Sequence, residues 1–573
     1  MPIHNKQVAE QFNRLADLLE IQGANTFRVR AYRNAAQTVE SLPRDAQEML
    51  EDGEDLSELP GIGDDLAGKI KEIVNNGELT LLKETEEETT AELGEMMKLP
   101  GVGPKRVKAI HDALGVESMD QLRAAAENHE IRELEGFGKK TEDMILREID
   151  RRKDHTERTK LSAVDPIARS LENHLSGIDG VKKVVVAGSY RRRKETVGDL
   201  DILITCRNDS PVMDRFVGYD EVEEVVEHGK TRSMVILQSG LQVDLRVVPE
   251  VCYGAALYYF TGSKAHNIAV RRIAQGKKLK INEYGVFRGD DRIAGATEEE
   301  VFEEVGLPFI PPELRENRGE VEAAKADKLP KLVRLEDLRG NLHAHTKDSD
   351  GKYTLREMAE AAKKSGLEYL AITDHSKAVA AVKGLDEKRL RQQMERIDAL
   401  NDELGGIRIL KGIEVDILED GSLDLDDDVL GELDLVVGSI HSKFDLSKKK
   451  QTERVIRAMD HPSFHILGHP TGRLINEREA YEIDMERIMD AALERGCYME
   501  LNAQPDRLDL NDAHCKLARE KGLKVAISVD AHATTDLEFL RFGIDQARRG
   551  WLEADDVLNT RKWGDLKRLL KRD

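Results

Sequence analysis

Four cysteines in 573 residues, Cys206, Cys252, Cys497 and Cys515, stand far apart, with no C-x-x-C pair among them. That spacing argues against a zinc ribbon or a disulfide framework and suits a reducing cytoplasm. No apolar run reaches the length of a membrane span, and the opening Met1-Pro2-Ile3-His4-Asn5-Lys6 lacks the layout of a signal peptide. A basic excess is missing too. Net charge is −23, with about −15 before residue 331 and about −8 after it. Bulk charge therefore gives no strong nonspecific attraction to nucleic acid, and such a partner would have to be held by local features and metal ions. A chain of this length is expected to form several domains, each with its own core.

What is present is concentrated in residues 188–204, GSYRRRKETVGDLDILI. An apolar run, Val184-Val185-Val186-Ala187, predicts a buried strand that ends in the Gly188-Ser189 turn. A basic segment follows, Arg191-Arg192-Arg193-Lys194, and a second strand begins at Gly198. Alternation along that strand puts Asp199 and Asp201 on one side and Leu200, Ile202 and Ile204 on the other. A third carboxylate, Asp244, lies in another short apolar strand, Val243-Asp244-Leu245-Arg246-Val247-Val248. Three Asp on neighbouring strands can hold two divalent ions around a triphosphate: one activates an attacking hydroxyl, the other offsets charge on departing pyrophosphate.

The N-terminal segment carries Val8, Phe12, Leu15, Leu18 and Leu19 at helical spacing. Two glycine turns follow, Leu59-Pro60-Gly61-Ile62-Gly63 and Leu99-Pro100-Gly101-Val102-Gly103-Pro104-Lys105, with a weaker third at Leu134-Glu135-Gly136-Phe137-Gly138. The L-P-G-h-G form between helices resembles the helix-hairpin-helix module. Its glycines reach positive φ, and its second helix offers N–H groups to a DNA phosphate with little need of lysine. Gly61, Gly63, Gly101, Gly103 and Lys105 are the DNA-backbone contacts this implies.

Beyond residue 336 the histidine pattern changes. His343 and His345 share one face of a short strand, with Asp350 close behind. His375, Glu414, His441, His469, and Asp530 with His532 each stand at or just past the end of an apolar parallel-type strand, with amphipathic helices between. A β/α barrel gathers ligands at one mouth in this way. Nine N and O donors without a thiolate suit several Mn²⁺, Zn²⁺ or Fe²⁺ ions rather than a structural zinc. His461, His465 and His514 fall outside the pattern and read as ordinary.

Gly-Ser followed by D-x-D resembles the nucleotidyltransferase superfamily. The later run Tyr259-Phe260-Thr261-Gly262-Ser263, then Asn267 and Arg271, narrows the resemblance to family X DNA polymerases, the polymerase beta relatives. The resemblance implies that Gly188, Ser189 and Arg192 grip the triphosphate and that Asp199, Asp201 and Asp244 hold Mg²⁺ or Mn²⁺. It places Tyr259, Phe260 and Gly262 against the sugar, and Asn267 and Arg271 along the nascent pair. It also puts Lys69 at the Schiff-base lysine of a 5′-deoxyribose-phosphate lyase, with Tyr32 and Arg33 matching. Asp64 and Asp65 depart from the family there, Asp65 standing where relatives place a phosphate-contacting lysine. The nine barrel residues resemble the ligand set of the PHP phosphoesterases, which implies a cluster of up to three metal ions and 3′-to-5′ exonuclease or 3′-end cleaning.

Together these predict a multidomain chain. A helical lyase-like helix-hairpin-helix domain covers 1–85, and a fingers-like helix-hairpin-helix domain covers 86–160. An α+β nucleotidyltransferase palm spans 161–255 and a thumb-like subdomain 256–318. A linker, 319–335, precedes a distorted β/α PHP barrel over 336–573. The expected function is short-gap filling in DNA repair by a DNA polymerase that uses gapped or nicked DNA and dNTPs, as a cytoplasmic monomer without a membrane partner. The competing expectations are an RNA-tailing nucleotidyltransferase fused to a phosphoesterase, against which the glycine hairpins and the Tyr-Phe-Thr-Gly-Ser run speak, and a DNA-binding scaffold with inactive sites, against which the complete ligand sets speak.

Overall fold

Helices form first where apolar residues recur at helical spacing. In Asn5–Ile21, Val8, Phe12, Leu15, Leu18 and Leu19 all turn inward and are buried. The structure is a computed structural model that describes residues 5–21, 24–40, 42, 46–59, 61–88, 96, 102, 104–134, 136–152, 158–379 and 382–571. Contacts divide the chain into two units, Met1–Thr156 and Glu157–Asp573.

The first unit is helical. One core gathers Phe12, Tyr32, Leu56, Ile62 and Ile70, and a second gathers Val102, Val107, Leu122 and Ile145. Two of the three glycine turns have the same local build. A short 3₁₀ turn, Leu56–Glu58 or Ile131–Glu133, leads into a glycine at φ +78° (Gly61) or +82° (Gly136), and a helix follows, Asp64–Asn76 or Lys139–Arg152. Only a residue without Cβ enters that left-handed region freely, which fixes glycine at these two corners.

The second unit opens on helix Leu161–Ser176, which covers a five-stranded sheet. Across the sheet the strands run Val181–Val186, Asp199–Cys206, Gln242–Val247, Arg232–Leu237 and Val222–His228. The second and third are parallel and all other neighbours antiparallel. Helices Tyr253–Thr261 and Lys264–Gly276, a three-stranded antiparallel sheet and helix Glu298–Val305 complete this part. Residues 319–335, expected as a linker, contain helix Glu320–Lys325, whose Val321 and Ala324 are buried beside Leu332 and Trp551. Polar composition hides those apolar positions, because only one face of the short helix is covered.

Seven parallel strands then follow in sequence order around a barrel, from Gly340–Asn341 to Val525–Ser528. A single parallel bridge, Ala344 with Ala531, joins the first strand to the last, with His345 N–H donating to the Ala531 carbonyl at 2.8 Å. The barrel and the five-stranded sheet share a core: Ile475, Leu508 and Phe542 from the barrel pack among Leu161, Tyr190 and Val197. Burying such side chains contributes about 1.5–3 kcal/mol each.

Candidate active sites

Strand Asp199–Cys206 alternates as expected, with Leu200, Ile202 and Ile204 buried. Parallel register sets Asp201 directly beside Asp244 and Asp199 beside Gln242. Three carboxylates thus meet at one strand end. Burial, then the charges of Asp199 and Asp244, push the Asp201 carboxyl up to about 7, and burial followed by Asp244 raises Asp199 as well. Asp244 is held by Arg232 Nη2 and Gln242 Nε2, each at 2.9 Å. Gly188, at φ +61°, passes so close that a Cβ there would lie 2.7 Å from Asp201 Oδ2. Like charges forced together on rigid strands are relieved by bound divalent cations, so the residues fit the implied ions.

The end of helix Tyr253–Thr261 faces this strand. Phe260 lies under Arg246 and Tyr259 under Arg271, at 4.6 and 5.1 Å from guanidinium carbon to ring centre. Asn267 Nδ2 donates to the Tyr259 carbonyl at 2.8 Å. Gly262 lies at φ +68°, where a Cβ would come within 3.2 Å of Arg192 Nη1. Ser189 Oγ lies 3.5 Å from Arg158 Nη2.

The basic segment is not an open phosphate grip along its length. Arg191 pairs with Glu298, Arg193 with Asp545 (2.6 Å) and Asp165, and Arg192 Nε donates to Glu316 at 2.9 Å. Adjacent Glu195 accepts from Arg473 at 2.7 Å. The partners of Arg193 and Glu195 on the barrel, Asp545 and Arg473, lie hundreds of residues away in sequence, beyond the reach of any local pattern.

At the barrel mouth the closing bridge aligns His343 and His345 with Asp530 and His532, two residues on either side of the Ala344–Ala531 pair. His345 Nε2 lies 2.9 Å from Asp530 Oδ1, and His532 Nε2 lies 3.2 Å from Asp350 Oδ2. Glu414 sits at the centre. Its oxygens are 2.9 Å from His375 Nδ1, 2.9 Å from His469 Nε2, 3.3 Å from His441 Nε2 and 3.5 Å from His343 Nε2. Donor atoms close into three groups: His345, Asp350, His375 and His532; His343, His345 and Asp530; His375, Glu414 and His441. All nine side chains named from the sequence therefore meet at one place. Close as these pairs are, both ring nitrogens of His345, Nε2 of His343, Nδ1 of His375, Oε2 of Glu414 and Oδ1 of Asp530 are buried without an aligned hydrogen bond. Buried polar atoms are rarely left so, and this donor chemistry fits divalent ions. Burial and the neighbouring His532 and His375 hold His345 down at about 3. For His375, burial is outweighed by Glu414 and Asp350, which raise it to about 10.

Three acids that sequence reasoning missed support this mouth. Glu500, mid-strand in Tyr498–Asn502, approaches His343 Nδ1 at 2.8 Å and accepts from the His469 N–H at 2.6 Å. Asp416 lies 3.0 Å from His441 Nδ1. Asp374, buried just before His375, accepts from Thr346, Ser349 and Gln393, and burial raises its carboxyl. Such outer carboxylates fix the orientation of a ligating imidazole and raise its basicity. Glu500→Gln is expected to lower metal affinity about 10–100-fold. Metal analysis of the purified variant against limiting free Mn²⁺ measures this, and parental occupancy would refute it. His465, by contrast, accepts the Val436 N–H at 3.0 Å, and His461 lies 3.1 Å from Asp427.

In the helical unit, Gly61 and Gly63 frame the start of helix Asp64–Asn76. Lys69, Tyr32, Gly63, Asp64 and Asp65 line a cleft of about 730 Å³ with Arg28. Lys69 forms an ion pair with Asp65, four residues earlier. Arg33 instead pairs with Asp17 and Glu20 at 2.8 and 2.7 Å. Gly101 and Gly103 lie outside the described residues, and Lys105 is in helix Pro104–Leu114.

Comparison with known proteins matches five segments of the chain. Family models match as a helix-hairpin-helix domain over residues 3–79, a SAM-like helix-hairpin-helix tandem over 93–151, DNA polymerase beta palm over 161–258, DNA polymerase beta thumb over 256–316 and PHP domain over 341–504. DNA polymerase/3′-5′ exonuclease PolX of Bacillus subtilis is 39% identical over 574 residues, covering 100% of both chains. A probable phosphatase of Thermoanaerobacter sp. is 32% identical over 240 residues, 40% of this chain and 93% of its own. DNA polymerase lambda of Arabidopsis thaliana is 26% identical over 352 residues, 55% of this chain and 62% of its own. With palm, thumb and PHP domains in that order and an end-to-end relative at this identity, the chain belongs to the family X DNA polymerases of the PolX type, which carry a C-terminal PHP domain.

Proposed function

We propose that this protein fills short gaps in DNA from dNTPs and shortens or cleans 3′ ends at a second, independent site, acting as a cytoplasmic monomer. What carries the reading is the presence in one chain of two separate acid constellations. One is the register-matched Asp201–Asp244 pair with Asp199. The other is the nine-residue barrel mouth, eight residues in three donor groups with His469 beside Glu414.

At the first site Asp199, Asp201 and Asp244 would hold Mg²⁺ or Mn²⁺. Divalent ions there lower the pKa of the primer hydroxyl and offset charge on the leaving pyrophosphate. Gly188 and Ser189 leave room for the triphosphate beside Asp201, Arg192 meets its oxygens, and Tyr259 with Phe260 walls the sugar. Asn267 and Arg271 line the base pair. At the second site the nine barrel residues would hold Mn²⁺, Zn²⁺ or Fe²⁺, which supply Lewis acidity toward a phosphodiester. Glu500 and Asp416 orient His343 and His441. The glycine hairpins hold the DNA backbone without reading sequence. In the lyase-like cleft Lys69 is the candidate amine, and Asp65 pairs with it.

The polymerase site should be acid-sensitive through its metal. Only a deprotonated Asp201 accepts an ion, and burial with its two neighbours keeps the proton on up to about 7. Below that pH each binding event displaces a proton, so apparent affinity falls as pH falls, by about tenfold per unit. Mg²⁺ titrations of gap filling at pH 6, 7 and 8 should show the greatest requirement at pH 6; equal midpoints would contradict it.

Primer extension on a short gap with a 5′-phosphate, in Mn²⁺, with and without dNTPs, tests the whole reading. Filling with dNTPs and shortening without them is the expected result. Shortening alone would reduce the N-terminal half to a binding module, and filling alone would leave the barrel in need of another substrate.

A further inference from the structure

Past the C-terminal end of barrel strand Tyr498–Asn502, where a barrel gathers its chemistry, the chain turns through residues 503–508 and carries Arg507. The turn is tied at several points. Arg507 N–H donates to the Gln504 carbonyl at 2.8 Å, and Gln504 Nε2 donates to the Asp530 carbonyl at 3.1 Å. The Asp506 carbonyl accepts from Ile475 N–H at 2.7 Å, and Leu508 is buried in the core shared with the sheet. The side chain of Arg507 thus leaves from a fixed backbone. Its guanidinium is not paired off. Nε comes 3.9 Å from Asp530 Oδ2, beyond hydrogen-bond length, and no N–H of the group makes a hydrogen bond among the described residues. Asp530 is already engaged: Oδ2 accepts from Asn502 Nδ2 at 3.2 Å, and Oδ1 lies 2.9 Å from His345 Nε2. Among the described residues no other carboxylate lies within ion-pair distance of Arg507. A second cation is within electrostatic reach instead: burial, then the charge of Arg507, lower the pKa of Arg478. The Arg507 side chain is 23% exposed, so a ligand can meet it from solvent. A guanidinium left open beside a like charge, next to a cluster of metal-type donors, suits an anion that those donors also address.

We propose that Arg507 is a catalytic residue of the barrel nuclease, its guanidinium fork receiving the non-bridging oxygens of the phosphodiester to be cut. This rests on the reading of the barrel as a site that cleaves phosphodiesters. In that hydrolysis a water oxygen bonds to phosphorus and the P–O bond to the departing nucleoside oxygen breaks. The departing oxygen takes up the proton that the water releases. Negative charge gathers on the non-bridging oxygens on the way, and N–H donors already fixed in place lower the barrier by meeting it. A planar fork meets two such oxygens at once, which the point charge of a lysine does not.

The test is single-turnover shortening of a single-stranded oligonucleotide by the full chain in saturating Mn²⁺, with the Mn²⁺ content of each purified variant measured alongside. Arg507→Met, which keeps the aliphatic stem, is expected to slow cleavage about a hundredfold at parental Mn²⁺ content, and Arg507→Lys to slow it less. Gap filling should stay within about twofold of the parent for both variants, which reports an intact fold. A parental cleavage rate in Arg507→Met would overturn the inference and leave the nuclease reading standing. A fall in Mn²⁺ content that matches the fall in rate would also overturn it, by making Arg507 a support for Asp530. A parent that binds Mn²⁺ yet leaves 3′ ends intact would overturn the nuclease reading and the inference with it. If Arg507→Met does not fold, Arg507→Lys is read against the same two measurements.

Discussion

Asp201→Ala is expected to abolish primer extension, by about a thousandfold or more, while leaving 3′ shortening within about twofold of the parent. Asp201 is the central member of its set: its register partner is Asp244, Asp199 lies two residues earlier on the same face, and Gly188 is pressed against its Oδ2. Removing it takes a carboxylate from between two others and opens a gap where the turn packs. It also removes a carboxylate that burial, then the charges of Asp199 and Asp244, push up to about 7. The variant should therefore be no less stable than the parent before metal is added, and thermal unfolding in EDTA checks that the loss is chemical. A variant that loses both activities would mean that the two sites are not independent.

His345→Ala should do the reverse, with the larger effect on metal content. His345 belongs to two of the three donor groups and lies within reach of Asp350, Glu414 and Asp530. Its loss is expected to remove about two ions of the cluster and to slow nuclease activity about a thousandfold or more, with gap filling within about twofold of the parent. Metal analysis of the purified protein and the gel assay read both effects. Full metal content with lost activity would assign His345 a role on substrate instead.

The aspartate strand is legible in the sequence because alternation needs only local geometry: a strand that buries Leu200, Ile202 and Ile204 must turn Asp199 and Asp201 the other way. The barrel histidines are legible for a similar reason, each closing a short apolar run. Glu500 escapes because it lies inside a run, Tyr498-Met499-Glu500-Leu501-Asn502, where an acid gives no sign of its partner until the barrel closes and brings His343 to it. Arg193 and Glu195 escape for a reason of charge. A basic stretch beside a nucleotide site suggests phosphate, and only the docked helix Leu540–Arg549 and Arg473 reveal that its members are largely spoken for by protein.

The apolar contact between barrel and sheet bears on whether the two halves can be parted. Ile475, Leu508 and Phe542 complete a core that belongs to the other half. A barrel separated from the sheet would show those three side chains to water as an apolar patch. Separating the two halves would therefore carry a solubility penalty on both sides.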